Sequence, residues 1–139
     1  MELNQIHKLF LESTGTSTDT RNIKQGSLFF ALKGANFNGN TFAHQALENG
    51  ACYAVIDEVV HPTDKRFILV DNVLETLQAL AHFHREHLGL PIIALTGSNG
   101  KTTTKELIHA VLKPHFKTVA TIGNLNNHIG VPLTLLSMT

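Results

Sequence analysis

The 139-residue chain has one cysteine, no tryptophan and few charged residues, at 16%. The lone Cys52 excludes an internal disulfide and is typical of a core thiol in a reducing compartment. Lys and Arg total 11, as do Asp and Glu, so the basic excess of a nucleic-acid-binding protein is absent. The chain begins without the pattern of a signal peptide, and its apolar runs fall short of a membrane span. These absences predict a cytoplasmic, globular protein that contacts neither nucleic acid nor membrane.

Hydrophobic residues make up 42% of the chain, which is enough to bury a core. Apolar runs alternate with segments of helical spacing, and this alternation predicts an α/β fold. Asn4 is the expected cap of the first helix. The other predicted helices cover 41–49, 72–87 and 101–112, and the predicted strands cover 27–33, 53–57, 67–71, 92–96 and 117–121. Residues 34–40 are too polar and glycine-rich for anything but a loop.

A helix stop followed by a proline, at 88–91, predicts a domain boundary. We expect a small α/β domain over 1–87 and the start of a P-loop domain with a parallel sheet over 88–139. The apolar run 92–96 is typical of a parallel strand buried on both faces. One β-α-β unit cannot shield a core, so we expect this chain to be the front of a longer protein, cut inside its second domain.

The sharpest motif lies between that strand and the helix 101–112, and it reads Thr-Gly-Ser-Asn-Gly-Lys-Thr-Thr. Its glycines let backbone N–H groups converge on an anion, and the helix adds its positive dipole end. Lys101 is the expected catalytic charge for the β- and γ-phosphates, and the Thr102 hydroxyl the expected Mg²⁺ ligand. The alternative is a glycine-rich turn with an exposed lysine. The residues predicted to bind the nucleotide are Thr96, Gly97, Ser98, Asn99, Gly100, Lys101, Thr102 and Thr103.

This loop resembles the ATP loop of the Mur ligases, which tolerate Leu95 in place of the first glycine of the strict pattern. The Asp-Thr-Arg segment 19–21 with 26–34, and the Asn-rich segment 123–136, are similar to two further Mur ligase motifs. The resemblance implies ATP and Mg²⁺ as cofactors. It also implies a cytoplasmic, monomeric enzyme that joins D-alanyl-D-alanine to UDP-MurNAc-tripeptide through an acyl phosphate, in peptidoglycan precursor synthesis.

The same resemblance places the uridine end of the substrate on the amino-terminal domain. The matching positions form two groups, namely Thr18, Asp19, Thr20 and Arg21, and then Ala35, Asn36 and Phe37. An amide and an aromatic face suit a base. The alternatives are a local ion pair between Asp19 and Arg21, and a Phe37 folded back on the core.

Three asparagines follow Gly123, at 124, 126 and 127. The resemblance makes Asn126 and Asn127 positioners of substrate or phosphate, while ordinary loop residues are the alternative. His128 stands where the family more often has an acidic residue.

The chain has nine histidines. His84 and His87 share a helix face, whereas His82 points elsewhere. A zinc site needs more ligands than these. We therefore interpret these residues as a solvated helix face. We interpret four others as surface residues, namely His44, His61, His109 and His115.

Three rival functions remain open at the level of sequence. The first is a Mur ligase that adds a single amino acid, although the Asn-rich segment favours the dipeptide. The second is a nucleotide- or UDP-sugar-binding module without ligase activity, and the third is a P-loop switch protein. The 139-residue chain alone is expected to bind but not to catalyse.

Overall fold

The computed structural model describes residues 1–123 and 125–139. Its strands are β1 (Thr16–Ser17), β2 (Leu28–Phe30), β3 (Lys33–Gly34), β4 (Phe37–Asn38), β5 (Tyr53–Ile56) and β6 (Phe67–Leu69). Four of them form a parallel sheet in the order β1-β2-β5-β6. In its register Phe29 lies opposite Ala54, and Val55 lies opposite Ile68. The predicted α/β class with a parallel sheet is confirmed.

Over these described residues, five α-helices accompany the sheet: α1 (Leu3–Glu12), α2 (Ala43–Glu48), α3 (Val73–Leu88), α4 (Lys101–Leu112) and α5 (Gly130–Leu136). The expected cap at Asn4 is wrong, because the helix begins two residues earlier, where Glu2 is the N-cap and forms a capping box with Gln5. Asn72 caps α3 by accepting from the Glu75 amide, whereas the sequence allowed either Asp71 or Asn72 as the cap. Among the described residues, each helix is too short or too polar to cross a lipid bilayer.

Both faces of the sheet are covered. Side chains alternate along a strand, so Leu28 and Phe30 point to one face and Phe29 to the other. The first face packs against α1, α3 and the end of α5, and the second packs against α2. Cys52 is half-buried, and its thiol donates to the Ser27 carbonyl. The core therefore lies around the sheet of residues 16–69.

The prediction of strands at 92–96 and 117–121 is wrong. Both segments lack regular secondary structure, and Ile93 is 62% exposed. A strand forms only where a neighbouring segment accepts and donates ladder hydrogen bonds. Within residues 1–123 and 125–139, no segment pairs with either run.

Three elements were not expected from the sequence. β3 and β4 form a short antiparallel hairpin inside the predicted loop 34–40. β1 extends the sheet at its edge. α5 packs against α3, with Leu136 buried in the core beneath it. Pro132 lies in the first turn of α5, where its missing N–H breaks no helical bond.

Candidate functional site

The phosphate loop precedes α4 directly, as predicted. Gly97 has φ of +144° and Gly100 has φ of +75°, which are conformations that favour glycine. Gly100 is the N-cap, and its carbonyl accepts from the Thr104 amide at 2.9 Å. The amides of Lys101, Thr102 and Thr103 therefore lie in the first turn, where helix geometry offers no intrahelical acceptor. The loop thus presents backbone donors beside the positive end of α4.

Lys101 adds a full charge at the same place. Its ammonium donates to the Gly97 carbonyl, so the side chain already folds over the loop. The Thr102 and Thr103 side chains are exposed at the helix start. A hydroxyl oxygen is a hard ligand that suits Mg²⁺, which prefers oxygen and keeps several waters. The donor set therefore fits a nucleotide phosphate with its magnesium ion.

The candidate substrate residues lie in the amino-terminal part of the chain, directly after strands of the fold. Thr18 to Arg21 follow β1. Residues 35–36 connect β3 to β4 shortly after β2, and Phe37 is the first residue of β4. The strands β1 and β2 are parallel neighbours, so their carboxyl ends share one edge of the sheet. That edge is where open α/β sheets bind ligands.

Asp19 and Arg21 form the local ion pair that sequence reasoning left as an alternative. Asp19 accepts from the Arg21 Nε at 2.9 Å and from a terminal guanidinium nitrogen at 2.7 Å. The Arg21 backbone amide also donates to Asp19, at 2.9 Å. The hydrogen bonds from the Arg21 side chain hold the pKa of Asp19 at about 2. Arg21 is still 86% exposed, so the pair shapes the turn and leaves its cationic edge open to solvent.

The hairpin carries a pair of stacked aromatic rings. Phe37 and Phe42 lie 5.3 Å apart between centroids, with 12° between their planes. Phe37 is 51% exposed, so it does not fold back on the core. Ala35 and Asn36 are exposed at the tip beside it. The tip therefore offers an amide and an open aromatic face.

A polar network beneath the hairpin was missed by sequence reasoning. Lys33 bridges Asp57 at 2.9 Å and Glu58 at 2.8 Å. Asn38 donates to Glu58, and the buried Asn40 donates to Asp57, both at 2.8 Å. Hydrogen bonds to Glu58 and Asp57 raise the pKa of Lys33. The aspartate that ends a predicted strand, close to a polar loop, was the one sequence signal for this network. The network of hydrogen bonds and ion pairs fixes the hairpin to the end of β5.

The Asn-rich segment leads into α5. Asn127 Oδ1 accepts from the Gly130 amide at 2.7 Å and from the Ile129 amide at 3.1 Å. This oxygen therefore caps the helix, while Asn126 is exposed. The expectation for Asn124 lies outside the described residues.

The solvated-face interpretation is wrong for His84. This side chain is 2% exposed, and its Nδ1 lies 3.1 Å from Nε2 of the buried His7. His82 is exposed, 3.6 Å from Glu86. The surface interpretation is also wrong for His44, which is half-buried against Phe67, and for His109, which is half-buried on α4. In the part of the chain that the structure describes, no three His, Cys, Asp or Glu side chains are grouped to hold a metal ion.

The structure does not gather all predicted residues in one pocket. Thr18 and Asp19 line a cleft of about 680 Å³ between the end of α1 and the end of α5. Among the described residues, those lining this cleft include neither Phe37 nor the phosphate loop. The chain therefore presents a phosphate loop and a separate sheet edge.

Two family models match the chain. The model described as "Mur ligase family, catalytic domain" matches residues 12–85. The model described as "Mur ligase middle domain" matches residues 95–139, which contain the whole phosphate loop. The two matches fall on the two parts of the chain that carry the candidate residues.

Two curated relatives match most of the chain. The UDP-N-acetylmuramoyl-tripeptide–D-alanyl-D-alanine ligase of Bacillus subtilis (strain 168) is 48% identical over 126 residues, covering 89% of this chain. The enzyme of the same name from Escherichia coli (strain K12) is 42% identical over 88% of this chain. The chain spans 28% and 27% of the lengths of these relatives.

Solved structures agree in fold. MurF from Acinetobacter baumannii has a TM-score of 0.85 at 32% identity, covering 99% of this chain and 33% of that one. MurF ligase from Thermotoga maritima in complex with ADP has a TM-score of 0.80 at 33% identity, covering 91% and 29%.

Proposed function

The chain belongs to the Mur ligase family, and we propose that the protein carrying it joins D-alanyl-D-alanine to UDP-MurNAc-tripeptide with ATP. The observation that carries this proposal is the phosphate loop at the start of α4, where the Lys101 ammonium donates to the Gly97 carbonyl. The names of the relatives support the dipeptide as the added group. They favour it over the rival in which a single amino acid is added.

The reaction requires two displacements. A carboxylate oxygen of the tripeptide attacks the γ-phosphorus of ATP, so that ADP leaves and an acyl phosphate forms. The amine of D-alanyl-D-alanine then attacks the acyl carbon, phosphate leaves, and the nitrogen loses a proton as the amide forms. Phosphoryl transfer depends mainly on positioning and charge neutralisation. The loop amides and Lys101 supply both to the phosphates.

Thr102 is the proposed magnesium ligand on this chain. Its exposed hydroxyl stands in the first turn of α4, beside the donors for the phosphates. A bound Mg²⁺ supplies charge neutralisation between phosphate oxygens. The remaining loop residues hold the nucleotide through their backbone, and the glycines permit the necessary turns.

The uridine end of the substrate is proposed to bind at the carboxyl edge of the sheet. Arg21 offers charge to the diphosphate, with Thr18, Asp19 and Thr20 shaping the turn around it. The Phe37 ring offers a stacking face, next to Ala35 and Asn36. Asn126 and Asn127 are proposed as positioners close to the phosphates, the latter through its amide nitrogen. We also propose that the protein is a monomer and that it acts on its small-molecule substrates in the cytoplasm.

Calorimetric titration with UDP-MurNAc-tripeptide and then with Mg·ADP tests the two sites separately. Lys101→Ala is expected to abolish Mg·ADP binding and to leave the UDP ligand unaffected. Lys113→Ala, on an exposed lysine just after α4, is the matched control and is expected to bind both. A folded wild-type protein that binds neither ligand would refute the proposal. Binding of the UDP ligand without Mg·ADP would reduce it to a UDP-sugar-binding module.

A further inference from the structure

Lys105 occupies an unusual position on the phosphate-loop helix. It follows Lys101 by four residues, so both side chains leave the same face of α4. Its side chain is only 16% exposed, although α4 buries none of its residues fully. Burying most of a lysine costs free energy unless the ammonium finds acceptors.

The ammonium finds three acceptors. It donates to the carbonyls of Thr121 and Gly123, the second at 3.0 Å. It also forms an ion pair with Glu106 at 2.9 Å. A lysine ammonium has three N–H donors, and these three contacts use all of them. Lys105 therefore has no donor left for a phosphate, and its contacts are with groups of the protein.

The local chain geometry explains why two carbonyls meet at one ammonium. Gly123 has φ of +55°, and the chain turns there, with the Leu125 amide donating to the Ile122 carbonyl at 3.1 Å. Beyond the turn, Leu125 touches Gly130 so closely that a Cβ there would lie 2.8 Å from it. Lys105 thus anchors the segment that carries Asn126 and Asn127.

We propose that Lys105 is a positioning residue for the nucleotide site. It holds residues 121–123 and 125–127 at a fixed distance from the phosphate loop, so that Asn126 and Asn127 stand beside the phosphates. This inference rests on the proposed function, because it needs a nucleotide at the loop. Loss of the anchor leaves the binding groups intact but requires them to be ordered when the nucleotide binds.

The test uses the full protein that carries this chain, with Mg·ADP and UDP as probes. Lys105→Met keeps the length of the side chain and removes its donors. It is expected to weaken Mg·ADP binding about tenfold, the effect of losing a charged hydrogen bond. Amides of 121–127 are expected to exchange hydrogen faster, with UDP binding unchanged. Lys105→Arg is expected to restore Mg·ADP affinity to within about threefold, and Lys113→Met to change nothing.

Three results overturn the inference while the proposed function stands. The first is a Lys105→Met protein with unchanged Mg·ADP affinity. The second is weaker Mg·ADP binding without faster exchange at 121–127, which would make Lys105 a source of charge alone. The third is loss of UDP binding as well, which would make it a residue of general stability. A folded wild-type protein that does not bind Mg·ADP removes both the inference and the proposed function.

Discussion

At the scale of single residues, the buried pair His7 and His84 links three parts of the chain. His84 Nε2 lies 3.0 Å from the Met138 carbonyl. A carbonyl only accepts, so we assign the hydrogen to Nε2 of His84, and its Nδ1 then accepts from His7. Burial, and next the neighbouring His84 and His87, lower the pKa of His7. The folded protein therefore favours the neutral form of His7.

His7 makes the free energy of unfolding fall in acid. The unfolded His7 takes a proton near pH 6.5, whereas the folded one does so only at lower pH. The unfolded state thus binds more protons in that window, and the free energy of unfolding decreases as the pH drops through it. His7→Phe is expected to flatten this dependence and to cost about 1–3 kcal/mol at pH 8, because His84 Nδ1 loses its partner. Urea unfolding from pH 8 to pH 5 measures both effects.

The exposed His82 provides the control. His82→Phe is expected to leave the acid dependence of urea unfolding unchanged. A His7→Phe protein with the wild-type dependence would show that other groups cause it.

Helical spacing correctly predicted that His84 and His87 share a face, but not that His84 is buried. Spacing within one helix tells which residues are neighbours. The partner, His7, lies 77 positions away on another helix. Only the packing of α1 on α3 brings them together, and no local pattern records it.

At the scale of elements, the β3–β4 hairpin depends on a close approach of backbone at Gly39. A Cβ there would lie 2.5 Å from the Leu32 carbonyl oxygen. At Gly34, in the same hairpin, a Cβ would meet its nearest neighbour, Phe37, at 4.0 Å. A side chain would therefore collide with backbone at Gly39 but would fit at Gly34.

Gly39→Ala is expected to destabilise the chain by about 1–3 kcal/mol, because backbone must move to admit the methyl group. It is also expected to weaken UDP binding, since Phe37 stands on this hairpin. Gly34→Ala is the matched control, with little change in either property. Urea unfolding and UDP titration measure the pair. Equal effects of the two substitutions would contradict the role of Gly39.

The elements differ in how far the sequence could specify them. α4 was predicted with its exact bounds, because a glycine turn and a proline stop are local signals. The run Ile92 to Thr96 is apolar enough for a buried strand, but no strand formed, because pairing partners are not local. α5 was missed because Gly130 and Pro132 have low helix propensity, and the packing of α5 on α3 stabilises the helix nonetheless. The phosphate loop was accessible to sequence for the same local reason as α4, and the network under Phe37 was not.

At the scale of the whole molecule, α5 contributes to the hydrophobic core formed by the amino-terminal part of the chain. Leu136 on α5 belongs to the same buried cluster as Leu80 on α3 and Phe30 on β2. Gln78 on α3 also donates to the His128 carbonyl at 3.0 Å. The segment after the phosphate loop is therefore coupled to the sheet that is proposed to bind UDP.

This coupling predicts that a change in α5 is felt at the sheet. Leu136→Ala is expected to cost about 2–5 kcal/mol, as buried leucines do. Tyr53 on β5 is the single tyrosine, and tryptophan is absent, so its fluorescence reports the unfolding of the sheet in urea. Val131→Ala, at an exposed position of α5, is the matched control and is expected to change the stability by less than about 0.5 kcal/mol. If the two parts folded independently, Leu136→Ala would leave the Tyr53 transition where the wild type has it.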